Sequence, residues 1–255
     1  MNLFAHRLPR LLLACATCLL WLCAHASRAQ QTDFSALEQT IAEELKATNT
    51  PGAALGIVRG DRLIYAKGFG TANVETGAPV TPDMLFRLGS TTKMFTAAAL
   101  VQLANAGKLD LKQPIGKYAR GLSPKLAQVS SHQLLTHTSG LSDGAVMFGN
   151  HDDAALAETV RGLKDTDFFT EPGQIISYAN PGYWVAGYVI EQVSGKAYAD
   201  QLNEALFKPL GMQRTTLRPT LAMTWPLSQG HEGAPPHVIR PAADNAELAG
   251  RFDLF

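Results

Sequence analysis

Beyond residue 23 the sequence has no cysteine: Cys15, Cys18 and Cys23 account for all three. A chain processed past that point has neither disulfides nor thiol chemistry. Charge of one sign is also missing, with 22 Lys+Arg against 22 Asp+Glu. That balance excludes the basic footprint of a nucleic-acid-binding protein. After Ala24 no apolar run is long enough to span a bilayer. Metal-ligand spacing is lacking too. His132 with His137, and His231 with His237, are not four residues apart, and no carboxylate cluster accompanies them. Neither a metal nor another cofactor is expected. What remains is 46% hydrophobic and 17% charged, the composition of a folded globular protein.

The amino-terminal segment reads as an export signal. Arg7 and Arg10 form a positive region, and Leu11 to Ala24 is apolar throughout but short for a membrane span. Ala24-His25-Ala26 and Ser27-Arg28-Ala29 offer small residues at cleavage spacing, and cleavage is expected after Ala29. Residues 1–29 are therefore read as a signal peptide and 30–255 as the mature domain, periplasmic or secreted, with no stable membrane span after cleavage. Lipid anchoring on Cys23 is disfavoured by the bulky Leu22 before it. The signal removes Arg7, Arg10 and Arg28 but no acid from the balance of 22 and 22, so the mature net charge is −3.

Along the rest of the chain, Phe34, Leu37, Ile41 and Leu45 recur at helical spacing and predict a helix from Phe34 to Ala47. Ala53–Val58 and Leu63–Phe69 flank the turn signal Arg59-Gly60-Asp61-Arg62 and predict a β-hairpin. Met94 to Ala104 is apolar but for Thr96 and Gln102, the pattern of a helix buried all round, with Gly107 as its C-cap. Gly182 to Val193 is a further helix ended by Gly195, with Tyr183, Trp184 and Tyr188 read as core, and Tyr198 to Leu206 is a short one. Asp152-Asp153 reads as a solvated helix start. From Pro219 on, the sequence shows no strand pattern. A two-stranded hairpin is not stable alone, so either helices cover it or strands are missing toward the carboxyl end.

Ser90-Thr91-Thr92-Lys93 places a hydroxyl and an amine three apart, ahead of the buried helix. Residues so spaced share a helix face, so Lys93 can reach the Ser90 hydroxyl. Alone the pattern is weak, since a Ser-x-x-Lys occurs by chance in about one chain of this length. The chain holds a second candidate, its one Tyr-x-Asn, Tyr178-Ala179-Asn180. A tyrosine beside an ammonium becomes able to accept the serine proton, and Asn180 offers both an amide donor and an amide acceptor. The competing reading packs Tyr178 on a helix start with Asn180 as N-cap before Pro181. The histidines add no Ser-His-Asp arrangement, because His137 lies two residues before Ser139 and such neighbours rarely form a triad. Both are read as a structural loop.

Taken in order, Phe86-Arg87-Leu88-Gly89-Ser90-Thr91-Thr92-Lys93, Leu134 to Leu141, Glu171-Pro172-Gly173 with Tyr178-Ala179-Asn180-Pro181-Gly182-Tyr183, and Pro209-Leu210-Gly211-Met212 resemble the serine beta-lactamase and penicillin-binding family, in its class C beta-lactamase and D-alanyl-D-alanine carboxypeptidase branch. The resemblance runs over roughly residues 36 to 245. It implies an α+β, beta-lactamase/transpeptidase-like fold, an antiparallel sheet flanked by helices, with residues 111–205 a mainly helical subdomain. It implies a monomeric serine hydrolase acting on a small beta-lactam, peptide or ester without a cofactor. It further implies that Ser90 is acylated, Lys93 assists, Tyr178 serves as base and then acid, and Asn180 binds the substrate amide. The family's third motif, Lys-Thr-Gly or His-x-Gly on a late strand, has no convincing counterpart. His231-Glu232-Gly233 lies in a Pro/Gly-rich stretch and is not expected to fill it. The ending from Glu247 to Phe255 does not read as family sequence, so missing carboxyl-terminal strands are expected. Two other readings stay open: an esterase or amidase for other small acyl substrates, and a weak or inactive remnant.

Overall fold

The computed structural model describes residues 32–143 and 153–238. The 1–29 signal, the three cysteines, Asp152 and the ending from Glu247 lie outside the described residues. The chain divides into two units, Met1–Thr48 and Asn49–Phe255. In the first, the helical period produces α1, Ser35–Ala47. The Asp33 carboxylate accepts the Ser35 N–H at its start, and Gln39 donates to Glu43 one turn on.

The second unit begins with the hairpin. β1, Gly52–Arg59, pairs antiparallel with β2, Arg62–Asn73, in a register closed by Arg59 opposite Arg62. Gly60, at φ +63°, makes the two-residue turn. A third strand, β3 (Ala78–Pro79), joins the far end of β2. Two residues are too short to show a period, and proline fits there because β3 is an edge. Gly68 is required by this packing: a Cβ there would lie 2.1 Å from the Val80 carbonyl oxygen.

Helices follow: α2 (Thr92–Asn105), α3 (Pro124–Gln128), α4 (Ser131–Leu135), α5 (Ala155–Gly162), α6 (Asn180–Ser194), α7 (Tyr198–Leu202) and α8 (Pro219–Ala222). The pattern read over Tyr198 to Leu206 is shared between α7 and a π-helical turn, Asn203–Phe207. Ala106, not Gly107, caps α2, and Gly107 follows it at φ +70°. Gly195, at φ +69°, ends α6. Ser130 caps α4 by accepting the Gln133 N–H, while the Gln133 side chain accepts the Ser130 N–H. Asp153 is exposed and pairs with Arg218, in keeping with a solvated helix start.

The stretch expected to have no strands forms a small hairpin. β4 (His231–Glu232) pairs with β5 (His237–Val238), turned at Gly233 with φ +83°. The chain reverses too quickly there for hydrophobic alternation to register in sequence. Helices and an antiparallel sheet together make the fold α+β.

The core belongs to the helices. α6 is buried from Trp184 to Ile190 and packs against α2, α4, α5 and α7. Leu100, Leu134, Leu141, Val160, Val185, Ile190 and Leu202 are fully buried around it. One polar pair sits inside this core, the Thr96 and Tyr198 hydroxyls at 2.6 Å, which ties α2 to α7 without stranding a donor. Leu100→Ala should cost about 3 kcal/mol, the usual price of an unfilled core site. Urea denaturation should show a lower midpoint at unchanged slope.

Candidate active site

Ser90 lies in a 3-10 turn, Gly89–Thr91, that feeds directly into α2. Lys93 is the second residue of α2, and helical side chains lean back over the preceding turn. Its Nζ donates to Ser90 Oγ at 3.1 Å. Tyr178-Ala179-Asn180 arrives from the other side. Extended Ala179 (φ −146°, ψ 116°) is the N-cap of α6, so Asn180 is its first helical residue and Pro181 its second. This corrects the reading of Asn180 as N-cap, and its side-chain amide bonds outside the helix instead, with Nδ2 donating to Asp143 Oδ2 at 3.5 Å.

The structure brings all four expected residues together. The Ser90 and Tyr178 hydroxyls are 2.6 Å apart, Lys93 Nζ donates to Asn180 Oδ1 at 2.7 Å, and the Tyr178 hydroxyl donates to the same oxygen at 3.2 Å. One proton arrangement satisfies every contact. Lys93 donates to Ser90 and Asn180, Tyr178 donates to Asn180, and the Ser90 proton therefore points at the Tyr178 oxygen. That is the direction in which the serine would be deprotonated. Ser90 and Tyr178 are exposed, while Lys93 and Asn180 are half-buried.

Partial burial raises the Tyr178 pKa, but polar contact with Lys93 and Ser90 and the charge of Lys93 outweigh it, and the net shift is downward. The Lys93 ammonium also lies 4.9 Å from the Tyr178 ring centre and 5.7 Å from that of Tyr183.

Sequence reasoning missed two neighbours. The His137 ring lies 4.6 Å from that of Tyr178, and its Nδ1 accepts the Ala179 N–H at 3.2 Å. Read as part of a structural loop, His137 in fact borders the site. Asp143 accepts the Asn180 N–H at 2.7 Å. Nothing in the sequence around Asp143 signals a place beside Tyr178, and the folded contact reveals it. His137 does belong to the Leu134–Leu141 stretch that carries the family resemblance, and that was the available signal.

Two other patterns find different settings, one of them a Gly-x-Ser-x-Gly that the sequence reading against a Ser-His-Asp arrangement overlooked. Gly140-Leu141-Ser142-Asp143-Gly144 spells Gly-x-Ser-x-Gly, the letter pattern of a nucleophile elbow. Such an elbow needs a strand-to-helix turn. Ser142 instead lies in a loop, just after the single bridge between Leu141 and Phe168, and its N–H donates to the Asp167 carbonyl. In His231-Glu232-Gly233, the His231 Nε2 accepts the Val74 N–H at 3.1 Å, a contact that ties β4 to the end of β2. Among the described residues no three His, Cys, Asp or Glu side chains form a metal site.

The beta-lactamase family model matches residues 37–250. The chain belongs to the beta-lactamase family. It is 32% identical over 190 residues to penicillin-binding protein 4 of Amycolatopsis lactamdurans, covering 72% of this chain and 49% of that protein. Among solved structures it is similar to a beta-lactamase/D-alanine carboxypeptidase from Pseudomonas syringae, with 26% identity and a TM-score of 0.69 over 87% of this chain and 61% of that one. It is also similar to the D-amino acid amidase of Ochrobactrum anthropi, with 28% identity and a TM-score of 0.68 over 88% of this chain and 67% of that one. The fold is therefore beta-lactamase/transpeptidase-like. The chain spans about half the length of the curated relatives it matches.

Burial pushes Tyr183 and Tyr198 upward, so Tyr178 should ionise before them as pH rises. Ultraviolet difference titration should find Tyr178 below the ordinary value of about 10, and Lys93→Ala should move it upward. The sign for stability follows. The folded state gives up this proton first, so stability rises with pH through the folded pKa and is lost again as pH falls through it.

Proposed function

We propose that Ser90 is the nucleophile of an exported serine hydrolase that opens a beta-lactam or cleaves a D-alanyl peptide. The reading rests on one observation above all: the Ser90 hydroxyl lies 2.6 Å from a phenol whose pKa is lowered and 3.1 Å from the Lys93 amine. In this reading Tyr178, ionised with the help of the Lys93 charge, takes the Ser90 proton as Oγ bonds to the substrate carbonyl carbon. The oxygen that becomes negative meets the Ser90 N–H at the helix start, where unpaired donors point outward. The carbon–nitrogen bond then breaks, and Tyr178 returns its proton to the departing nitrogen. Water adds hydroxide to the acyl carbon, and its other proton restores the Ser90 hydroxyl. Asn180 holds Lys93 through Oδ1 and offers Nδ2 to the substrate amide. Support for the substrate class comes from the penicillin-binding and beta-lactamase/carboxypeptidase relatives.

A second reading, an amidase or esterase for other small acyl substrates, is favoured by the similarity to the D-amino acid amidase and uses the same residues. Export rests on Arg7, Arg10 and the Leu11–Ala24 run. No described helix is long and apolar enough to cross a membrane.

A fluorescent penicillin should label the protein covalently, and Ser90→Ala should abolish the label. Tyr178→Phe, which removes the base but leaves the ring, should slow labelling by about 10²–10⁴. Hydrolysis of short-chain nitrophenyl esters without penicillin labelling would favour the second reading. Labelling that survives in Ser90→Ala would overturn both.

A further inference from the structure

The segment that carries Tyr178 is held from one side by the loop 137–143. The Ser177 N–H donates to the His137 carbonyl at 2.8 Å, the Ala179 N–H to His137 Nδ1 at 3.2 Å, and the Asn180 N–H to Asp143 Oδ1 at 2.7 Å. Three amides that bracket Tyr178 thus end on two residues. The His137 ring faces the Tyr178 ring at 4.6 Å, tilted by 31°, and the Tyr183 ring at 5.2 Å. The loop itself is held tightly. At Gly140, φ is +80° and a Cβ would lie 2.5 Å from the Thr170 carbonyl oxygen. His137 adopts φ +56°, a left-handed backbone unusual for a residue with a side chain.

These contacts have a chemical condition. Nδ1 can accept the Ala179 N–H only while it carries no proton, so the imidazole must be neutral with its hydrogen on Nε2. Protonation would turn that acceptor into a donor facing a donor. It would also set a second cation beside Lys93, opposed by Asp143. We propose that His137 is a positioning residue that holds Tyr178 against Ser90 while its imidazole is neutral and releases it on protonation, so that acylation falls on the acid side. The proposal rests on the reading of Ser90 and Tyr178 as nucleophile and base.

The groups around the ring agree. Burial lowers the His137 pKa, the Lys93 charge adds to this, and Asp143 opposes it. Lys93 faces the ring from α2, Asp143 from its own loop, and Tyr178 and Tyr183 from the start of α6. The neutral form is therefore the resident one near neutral pH. Because the folded pKa is depressed, the unfolded chain binds the proton more readily. Stability too should fall as pH drops below the ordinary histidine value of about 6.5.

His137→Asn isolates the effect. Asparagine tolerates positive φ, its Oδ1 can take the place of Nδ1 as acceptor, and it does not titrate. The rate of labelling by a fluorescent penicillin, followed from about pH 5 to 8 across the histidine range, should fall for the wild type by about a further tenfold per pH unit below the His137 pKa, on top of the slope that Tyr178 ionisation gives. The asparagine variant should keep its neutral-pH rate within a few-fold and lose the steepening at the His137 pKa, keeping only the slope that Tyr178 ionisation gives. His137→Ala, lacking the acceptor, should label about 10²-fold more slowly at every pH. A second readout needs no activity: the Ala179 amide NMR signal should move with pH in step with the His137 ring in the wild type and stay still in His137→Asn. An unchanged acid limb in the asparagine variant, or an Ala179 signal that ignores the His137 titration, overturns the proposal. A wild type that never labels while Ala179 still follows His137 overturns the Ser90 reading and leaves the contact standing.

Discussion

The site depends on the packing of α6 against α2. Ser90 and Tyr178 are separated by 88 residues, and neither segment holds the other by local structure. What joins them is apolar burial. The face of α6 from Trp184 to Ile190 seats on a core that includes Leu100 and Leu103 of α2. Removing that surface from water supplies roughly 25 cal/mol for each Å². The two helices therefore hold their amino ends at a set separation, and each amino end carries half of the site. Exposed hydrogen bonds between the side chains of the candidate site contribute too little to set that distance.

Stability and chemistry are divided along these helices. Their bodies are buried and their first residues reach the surface, where Ser90 and Tyr178 are exposed. An exposed ion pair or hydrogen bond is ordinarily weak. Here the weakness is offset by convergence, since Lys93, Tyr178 and Asn180 share contacts and no donor among them points at another donor. The loop 137–143 supplies the remaining order. It runs along the entry to α6 and ends the amides of Ser177, Ala179 and Asn180 on His137 and Asp143. The phenol is thereby held through its backbone as well as through its own side-chain contacts.

Much of this was legible in sequence, for reasons of period and spacing. Helix α2 announces itself by a nearly unbroken apolar run. The β1–β2 hairpin does so by two apolar segments around Gly60-Asp61. Ser90 and Lys93 are three apart, and Tyr178 and Asn180 two apart, so each half of the site could be found by eye. Short elements were not legible. β3, β4 and β5 have two residues each, less than one full alternation. His231 illustrates the limit. Its sequence context suggests a failed motif, whereas its place in the structure is decided by a hydrogen bond from Val74, 157 residues earlier.

The sequence by itself determined the candidate site residues and which helix starts present them, because side-chain type and helical spacing are local properties. Only the tertiary structure decided the rest. It set the direction in which the Ser90 proton points, lowered the pKa of Tyr178 through the nearness of Lys93, and brought His137 and Asp143 to the same place. Each of these depends on distances between segments far apart in the chain, and such distances exist only after the core between them has closed.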